Sequence, residues 1–537
     1  MKVAIGYPPF DNPKGRAFLA QNRQFQWGTS PWTAYPVVPA YAASFLQEKG
    51  YEVYWLDGIW GMQTYAEWEK DLLEINPDVL MLETKTPVIK RHWEIIDRLK
   101  DITCPHSLAP GAAAKEAPGA SPAGSGLSIV LVGDHVTALP EESMQNSKVD
   151  YILTGGDYDF LLLNLCNHLS KGEDLEPGIW YRKPAAGKAP GAGPALPAGR
   201  SAEAPGAEEC SGSSPSADYS STGHFVLNHD LNELPFIDRD LTQWELYAYQ
   251  NSNYARTPGT YTMFGRDCWW GKCTFCSWTT LYPGEHFRVM SVERALDEVG
   301  HILENYPVRE IMDDSGTFPV GEWLTDFCRG MIERGYNEKV RISCNMRFNA
   351  GLDKEDYELM REAGFRFLLY GLESYNQETL DRIQKNLKVE QIEPQLKWAK
   401  EAGLNPHPTA MVGYPWESKE EAKRTLNFAR EMFKKGYSDT LQATIVTPYP
   451  GTPLFREAEE KGWLKTKDWD RYDMREPILK TEMSDEEIKG LVQGLYKSVL
   501  TPKFIARKAW EALTDWETFK YYFRMMRKFF SKLVDFR

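Results

Sequence analysis

The sequence predicts an α/β protein in which a Rossmann-like N-terminal domain is followed by a partial (β/α)6 barrel of the TIM type and a C-terminal helical region. The main observation is that short apolar runs alternate with amphipathic stretches along most of the chain, which is typical of parallel strands covered by helices. The 537 residues also exceed what one hydrophobic core can hold, so several domains are expected. After about Asp473 the apolar residues follow a helical spacing only.

The composition is that of a globular protein, with 42% apolar and 26% charged residues. A net charge of −14 argues against general nucleic-acid binding. The start MKVAIGYPPF is not followed by an apolar leader, and no run reaches the ~18 apolar residues that a membrane span requires. Eight cysteines in this length do not suggest a disulfide scaffold, so we predict a reducing, cytoplasmic compartment.

Residues 1–175 are predicted to form the first domain, a five-stranded parallel sheet with helices on both faces. In such sheets ligands bind at the carboxyl ends of the strands, where the loops 84–86 and 133–135 are expected. The strands are predicted at MKVAIGYPP, YEVYWLDG, DVLMLET, LSIVLVG and VDYILTGG.

Two tracts rich in Ala, Pro, Gly and Ser, residues 107–126 and 184–223, interrupt this pattern. Their composition buries too little apolar surface to offset the cost of ordering the chain, so both are predicted to be disordered insertions without a role in chemistry. The second tract lies in a predicted linker, residues 176–250, and contains Cys210, which is set aside with it. It separates GIWYRK from HFVLNH, which are predicted to be the two arms of a hairpin.

Residues 251–475 show six strand–helix units joined by short loops, which predicts part of a parallel barrel. A closed eightfold barrel would need two more units. Residues 476–537 are predicted to be helical. The barrel strands are predicted at TYTMFG, REIMDD, KVRISCNMRF, RFLLYGLES, NPHPTAMVGYP and DTLQATIVTPYPGT.

Three of the eight cysteines, Cys268, Cys273 and Cys276, lie together in the loop after the first barrel strand. Structural zinc requires four nitrogen or sulfur ligands, and the nearest histidine, His286, is ten residues further along. An iron–sulfur cluster held by three thiolates leaves one iron open, and the loop lies at the catalytic face of such a barrel. We therefore favour a cluster, with a zinc-stabilised, non-enzymatic scaffold as the alternative. Cys328 and Cys344 lie on apolar faces and are predicted to be core thiols.

A cysteine triplet ending in CTFC after strand one of a six-unit barrel resembles the radical SAM superfamily. The resemblance implies a [4Fe–4S] cluster on the three thiols, whose open iron binds S-adenosylmethionine (SAM) and cleaves it to a 5′-deoxyadenosyl radical. The usual spacing in the superfamily is C-x3-C-x2-C, whereas four residues separate Cys268 from Cys273 here. Later strand ends agree with the resemblance over residues 255–475, namely DDSGTF, SCNMRFN, YGLES, MVGYPWES and TPYPGTPLF.

The resemblance also implies contacts with SAM. Phe275 would lie against the adenine, or else pack under the loop. Glu373 would accept hydrogen bonds from the ribose hydroxyls or the amino group of SAM. Ser374 would join it, or alternatively cap the following helix.

Three further positions are assigned to SAM on the same grounds, and no catalytic residue is assigned. Asp313 and Asp314 follow the second strand, and one of them is expected to face the site. We assign Asp313 to SAM binding. Arg347 would meet the carboxylate of SAM or a substrate anion, or instead form a buried ion pair with Glu373. Gly413 marks either a close approach of the backbone to a ligand or a simple turn.

The first domain resembles the cobalamin-binding domain of cobalamin-dependent radical SAM proteins, with VGDHVTALPEES and TGGDYDF at its strand ends. In pattern the chain is nearest to hopanoid-associated radical SAM proteins and anaerobic magnesium-protoporphyrin ester cyclases. The sequence contains no D-x-H-x-x-G motif, which implies that cobalt is bound without a histidine of the chain. Small or hydroxylated residues at strand ends would let the corrin approach the backbone, namely Thr84, Thr86, Gly133 and Gly155. His135, at one of these strand ends, could form a hydrogen bond with a propionamide group of the corrin.

The resemblance implies an enzyme that functionalises a C–H bond of a lipid, terpenoid or tetrapyrrole-like substrate. The reaction would be methylation, or else cyclisation, ring contraction or C–C coupling, with an electron donor such as flavodoxin or ferredoxin. A radical SAM enzyme without cobalamin, such as a methylthiotransferase or a dehydrogenase, is the alternative.

The C-terminal tail, residues 517–537, has six basic groups among aromatic residues. It would either lie on an anionic membrane or pack its aromatic side on the barrel. We favour packing on the barrel.

Overall fold

The computed structural model describes residues 1–19, 26–28, 34–103, 126–183, 218–251, 253–266, 268–284, 286–498, 502–514 and 516–535. These residues form two large sheets covered by helices, and the loops at the carboxyl ends of the two sheets contact each other. Within these ranges no helix is both long and apolar enough to cross a membrane.

The N-terminal strands are β1 (Lys2–Tyr7), β2 (Arg16–Phe18), β3 (Gln26–Gly28), β4 (Glu52–Asp57), β5 (Val79–Glu83), β6 (Ser128–Val132), β7 (Tyr151–Leu153), β8 (Ile179–Arg182) and β9 (Tyr219–Ser221). Seven of them form one sheet in the order β4-β1-β5-β6-β7-β8-β9. Its first five strands are parallel and are the five that the sequence predicts, whereas β8 and β9 extend one edge in antiparallel orientation. Every residue of β5 is buried, because helices cover both faces of the sheet.

The helices of this region are α1 (Val37–Glu48), α2 (Tyr65–Ile75), α3 (Ile89–Thr103), α4 (Asp134–Ala138), α5 (Pro140–Asn146) and α6 (Tyr158–Lys171). The apolar sides of α1 and α6 pack on one face of the sheet, and those of α2 and α3 pack on the other. The start of α2 is fixed by a capping box, in which Thr64 and Glu67 accept each other's backbone N–H groups.

The antiparallel edge corrects two predictions about the linker. Residues 219–221 form β9 and pair with β8, so the end of the tract predicted to be disordered is a strand. The predicted partner arm, HFVLNH, is not part of a strand. The ring of Tyr219 contacts the ring of Trp180 across the two strands at a centroid distance of 6.2 Å, and aromatic cross-strand pairs of this kind stabilise a sheet. The rest of the two tracts, residues 107–125 and 184–217, lies outside the described residues.

The strands of the second half are β10 (Gly259–Thr262), β11 (Gly265–Arg266), β12 (Arg288–Val289), β13 (Glu310–Asp313), β14 (Arg341–Met346), β15 (Phe365–Glu373), β16 (Asn405–Val412) and β17 (Gln442–Ile445). Six of them form a parallel sheet in the order β10-β13-β14-β15-β16-β17, which is the order of the chain. The sheet is a half-barrel, because its two edge strands, β10 and β17, do not pair with each other in the described structure. The two-stranded ribbon of β11 and β12 flanks the cysteine loop.

The helices around the half-barrel are α7 (Glu245–Ala248), α8 (Trp278–Leu281), α9 (Val292–Asn305), α10 (Glu322–Glu333), α11 (Lys354–Glu362), α12 (Gln377–Arg382), α13 (Ile392–Glu401), α14 (Lys419–Lys435) and α15 (Pro453–Glu460). Beyond the half-barrel, the structure has the helices α16 (Asp485–Ser498), α17 (Pro502–Thr514) and α18 (Trp516–Asp535), whereas residues 476–484, which the sequence predicts to be helical, form no helix because Leu479 pairs with Leu464 in an isolated β-bridge. One side of α18 packs on the half-barrel, where Tyr521 is buried and Arg524 donates a hydrogen bond of 2.9 Å to the carbonyl of Tyr254. This contact agrees with the favoured interpretation of the tail.

Candidate active site

One cavity at the carboxyl ends of the half-barrel strands brings the clustered cysteines together. Cys268, Cys273 and Cys276 all line it, and so do Phe275 and residues at the ends of β14 and β15. None of the six described cysteines forms a disulfide. The three thiols predicted to bind a cluster therefore face one shared space.

The number of thiols in the cavity favours a cluster over a structural zinc ion. A structural zinc site needs four nitrogen or sulfur ligands around one ion, whereas the thiolates of an iron–sulfur cluster are spread over separate irons. Three thiols that line one cavity match the donor set of a cluster with an open iron.

The cysteine loop is anchored by hydrogen bonds to two neighbouring loops of the half-barrel. The backbone N–H of Thr274 donates to the carbonyl of Ile383 at 3.1 Å, and the N–H of Leu454 donates to the carbonyl of Thr274 at 2.8 Å. The indole of Trp270 donates to the carbonyl of Gln384 at 2.6 Å. These bonds end on backbone carbonyls, so the position of the loop depends on the fold of its neighbours rather than on their side chains.

Two cations lie near the buried sulfur of Cys273. Arg347 Nη1 is 3.6 Å from Cys273 Sγ, and its guanidinium lies 5.3 Å and 5.4 Å from the ring centroids of Trp269 and Trp270. Burial raises the pKa of the Cys273 thiol, and the positive charges of Lys385 and Arg347 oppose this rise. Because the thiolate is the form that binds metal, these cations favour cluster binding.

Glu373 is held in a strained backbone conformation beside the thiols. Its φ is 58°, in the left-handed region, where β15 bulges against β16. Lys385 Nζ donates a hydrogen bond of 2.8 Å to the Glu373 carboxylate. Arg347 instead donates to the carbonyl of Lys385 and to Asn349, so the ion pair between Arg347 and Glu373 considered above is not formed. Strained residues of this kind cluster at functional sites.

The Glu373–Lys385 pair depends on a glycine. A Cβ atom at Gly371 would lie 2.2 Å from Glu373 Oε1 and 2.6 Å from Lys385 Nζ, so the charged ends of both side chains would have to shift to make room for it. Lys385 was missed by the sequence analysis because it lies in a loop, 12 residues after Glu373, with no pattern to mark it.

The side chains around the thiols fit SAM. The wall contains the Glu373 carboxylate, the amide of Asn345, the ring of Phe275 and the cations of Arg347 and Lys385. These groups match the amino group, the carboxylate and the adenine of SAM.

Three residues assigned to SAM have other contacts in the described structure. Asp313 accepts a hydrogen bond of 2.8 Å from the backbone N–H of Phe264, and burial raises its pKa to about 6. Its neighbour Asp314 lines the cavity instead, because successive side chains at a strand end point to opposite sides. Ser374 donates to Glu417 at 2.7 Å. Gly413 faces Ile445 and Ile488, and its φ of 95° suits a turn.

The five residues assigned to cobalamin lie at the carboxyl ends of the first sheet, and all are buried. Their contacts are within the chain: Thr84 shares a hydrogen bond of 2.8 Å with His92, and His135 contacts Thr86 at 3.2 Å. A Cβ at Gly133 would lie 2.3 Å from the Thr84 carbonyl oxygen, and one at Gly155 would lie 2.5 Å from the ring of Phe225. In the described structure none of the five lines the cavity of the thiols, and their contact with a corrin stays a prediction.

The cavity continues along the inside of the half-barrel toward the amino ends of the strands, a region that the sequence analysis missed. Met312, Leu369 and Met411 line its middle. Its base is formed by polar and aromatic groups from three strands and from α18, and no motif marks them; they are Phe367, His407, Gln442, Tyr521 and Met525.

Residues 262–429 match the family model described as the Radical SAM superfamily. This range contains all three clustered cysteines together with Arg347, Glu373 and Lys385. The chain therefore carries a radical SAM domain, and this family implies an enzyme that uses a [4Fe–4S] cluster and SAM.

More particularly, the chain is similar to an uncharacterized methyltransferase of Pyrococcus horikoshii, with 25% identity over 517 residues and 95% of each chain covered. It is similar to hopanoid C-3 methylase of Methylococcus capsulatus, with 26% identity over 273 residues, 49% of either chain. It is also similar to the anaerobic magnesium-protoporphyrin IX monomethyl ester cyclase of Cereibacter sphaeroides, with 25% identity over 287 residues, 52% of this chain and 45% of the cyclase. The chain thus spans about half the length of the methylase and the cyclase. The last two similarities confirm the predicted resemblance to hopanoid-associated radical SAM proteins and anaerobic magnesium-protoporphyrin ester cyclases.

Two solved structures share the fold. The cobalamin-dependent SAM radical enzyme OxsB matches with a TM-score of 0.63 and 15% identity, covering 97% of this chain and 71% of OxsB. The radical SAM methyltransferase TsrM of Kitasatospora setae matches with a TM-score of 0.58 and 13% identity, covering 87% of this chain and 79% of TsrM. The α/β fold with a half-barrel is therefore the fold of these enzymes.

Proposed function

We propose that the chain is a cobalamin-dependent radical SAM enzyme that methylates an unactivated carbon of an apolar small molecule. The observation that carries this proposal is the single cavity that holds the three thiols and the Glu373–Lys385 pair and also reaches the interface between the two sheets. When bound, the cluster supplies the electron that cleaves SAM, and cobalamin supplies the methyl group. Similarity to a methyltransferase over 95% of both chains favours methylation over cyclisation, ring contraction or C–C coupling.

The chain's own residues bind and orient in this proposal. Glu373 accepts hydrogen bonds from the amino group or ribose hydroxyls of SAM, and Lys385 fixes the direction of its carboxylate at 2.8 Å. Arg347 supplies a positive charge beside Cys273 that balances the thiolates. The tryptophans that cover the Arg347 guanidinium keep water away from this charge.

The cobalamin part of the proposal rests on the wall of the cavity between the two sheets. Ala34, Trp278, Tyr449 and Met474 line it there, which gives a mostly apolar surface suited to a flat macrocycle. The hydroxyl of Tyr449 is buried and has no hydrogen-bond partner in the described part of the protein. A buried unpartnered hydroxyl is costly, and an amide side chain of the corrin would satisfy it.

The substrate is proposed to be a lipid, terpenoid or tetrapyrrole-like molecule. The middle of the cavity is lined by Met312, Leu369 and Met411, so a substrate there meets apolar side chains. The names of two relatives, a hopanoid methylase and a magnesium-protoporphyrin cyclase, indicate large apolar substrates for those proteins. We further propose that a small redox protein such as flavodoxin or ferredoxin provides the electron.

Anaerobic reconstitution with iron, sulfide and hydroxocobalamin tests the proposal. We expect about four irons per chain, a corrin absorption band that survives gel filtration, and about tenfold weaker corrin retention in Tyr449→Phe with unchanged iron. Tyr472→Phe, whose hydroxyl donates to the carbonyl of Thr466 outside the cavity, is the matched control. Iron without corrin would leave a radical SAM enzyme that does not use cobalamin and would remove the methyl-transfer proposal.

A peripheral membrane contact is the second part of the proposal. We define the C-terminal apolar surface as six exposed side chains of α17 and α18: Trp510, Leu513, Trp516, Phe519, Phe523 and Met526. Residues 502–537 carry nine Lys and Arg against four Asp and Glu, in a chain of net charge −14. Exposed aromatic side chains on a locally basic segment suit the surface of an anionic bilayer.

Co-sedimentation with vesicles checks this contact. We expect binding to vesicles that contain phosphatidylglycerol, little binding to pure phosphatidylcholine, and about tenfold weaker binding of a Trp516→Ser, Phe519→Ser, Phe523→Ser variant. A variant with Leu73→Ser and Val226→Ser, two exposed apolar residues elsewhere, is the control and should bind like the natural chain. Dimerisation in gel filtration without vesicle binding would show that a second copy of the chain covers this surface instead.

A further inference from the structure

The loop between β7 and α6 contacts the start of the cysteine segment through buried charges. Arg266, the last residue of β11, precedes Cys268 by two positions and is almost completely buried. Its guanidinium makes a two-pronged contact with Asp159, Nη1 to Oδ1 at 2.8 Å and Nη2 to Oδ2. It also reaches Asp157 Oδ1 at 3.2 Å. The two aspartates belong to the N-terminal half of the chain, so this contact joins the two halves.

The same loop also contacts the other end of the cysteine segment. The backbone N–H of Gly156 donates to the carbonyl of Leu281 at 3.0 Å, and the hydroxyl of Tyr282 donates to the carbonyl of Gly156 at 3.1 Å. The Tyr282 ring lies directly on Gly156, where a Cβ would approach it to 2.0 Å. Residues 155–159 therefore hold both ends of the segment 266–282, which carries all three cluster cysteines.

The charges around this loop balance. Arg288 Nη2 donates to Asp157 at 2.8 Å, and His229 lies between Asp157 at 2.9 Å and Glu176 at 3.0 Å. Hydrogen bonds to these two carboxylates overcome the effect of burial and raise the pKa of His229 to about 9, so the ring is a cation at neutral pH. Three carboxylates thus face three cations. Removal of one buried member of such a network leaves an uncompensated buried charge, so the loss of a single charge is strongly destabilising.

We propose that residues 155–159, the clamp turn, position the cluster loop against the N-terminal sheet, with Arg266 and Tyr282 as positioning residues. The clamp turn fixes the distance between the cluster loop and the part of the N-terminal half that faces the cavity. This role rests on the radical SAM site described above but not on the presence of cobalamin. It gives the sequence TGGDYD a structural partner within the chain, where the sequence analysis had placed a corrin contact at Gly155.

Hydrogen exchange of the iron-free full-length protein tests the clamp. In Asp159→Asn, which keeps the size of the side chain but removes its charge, backbone amides of residues 268–284 are expected to exchange about tenfold faster. The matched control is Glu310→Gln, which breaks the buried Arg366–Glu310 pair at the amino ends of the half-barrel strands, opposite the cysteine loop. Both variants should lose stability, and only Asp159→Asn should loosen the cysteine loop. Equal exchange in the two variants would overturn the proposal.

A milder variant covers the case in which Asp159→Asn does not fold. Tyr282→Phe removes only the hydroxyl that reaches Gly156, and we expect faster exchange in 268–284 together with a changed electron paramagnetic resonance signal of the reduced, reconstituted cluster. Unchanged exchange and an unchanged signal would show that the hydrogen bond from Tyr282 to Gly156 does not position the cysteine loop, and this result would overturn the proposal. If residues 268–284 exchange faster in Tyr282→Phe but the reconstituted natural protein binds no iron, the clamp is supported and the proposed function is wrong. If the natural protein binds about four irons per chain but exchange in Tyr282→Phe is unchanged, the proposed function stands and the clamp is wrong.

Discussion

Cys273→Ala is expected to reduce the iron bound after anaerobic reconstitution from about four atoms per chain to less than about one. Cys273 is the buried member of the triplet, and Arg347 Nη1 lies 3.6 Å from its sulfur. Loss of one of three thiolates removes the cluster rather than weakening it, because a single remaining pair cannot hold the cubane. Metal analysis and the visible absorption spectrum measure the effect.

Cys328→Ala is the control for this result. The thiol of Cys328 is buried in α10, and burial raises its pKa, as expected for a core residue. We expect this variant to lose some stability and to bind as much iron as the natural chain. Full iron in Cys273→Ala, or loss of iron in Cys328→Ala, would place the cluster elsewhere.

Gly371→Ala is expected to weaken SAM binding by about tenfold, equivalent to about 1.4 kcal/mol, without loss of iron. The added methyl group would lie 2.2 Å from Glu373 Oε1 and 2.6 Å from Lys385 Nζ, so the carboxylate and the ammonium must move apart. Glu373 already has a φ of 58°, and its strained backbone leaves little freedom to adjust. Equilibrium dialysis of SAM with the reconstituted enzyme measures the affinity.

Gly490→Ala provides the comparison for this substitution. Gly490 lies in α16, and a Cβ there would have no atom within 4 Å. Alanine in a helix is favoured over glycine by up to about 1 kcal/mol, so this variant should be slightly more stable and should bind SAM normally. If both variants bound SAM equally well, the role assigned to the Glu373–Lys385 pair would be wrong.

Much of the fold could be predicted from the sequence because the chain alternates strands and helices with short connections. The five parallel strands of the first sheet and the six of the half-barrel follow directly from this pattern. The spacing of Cys268, Cys273 and Cys276 was equally informative, since three cysteines in one loop of a chain without a disulfide pattern favour metal binding.

The rest of the site could not be predicted because it depends on contacts between distant residues. Lys385 comes from a loop without a motif, and Tyr521 reaches the base of the cavity from α18. Asp313 and Asp314 are adjacent in sequence, and only the direction of the strand end decides that Asp314 faces the cavity. Gly155 was assigned to a corrin because small residues at strand ends leave space, but in the structure that space contains Phe225.

The pairing of β8 with β9 also has a consequence for how freely the chain can change in length. Beyond the two strands, the backbone N–H of Lys183 donates to the carbonyl of Asp218 at 2.8 Å, so the two residues that flank positions 184–217 lie side by side. When the ends of a connection are fixed in this way, doubling its length costs only about 0.6 kcal/mol of closure entropy. Insertion, shortening or fusion of a foreign sequence at this point therefore changes the mass and the surface of the protein while the geometry of its cavity stays the same.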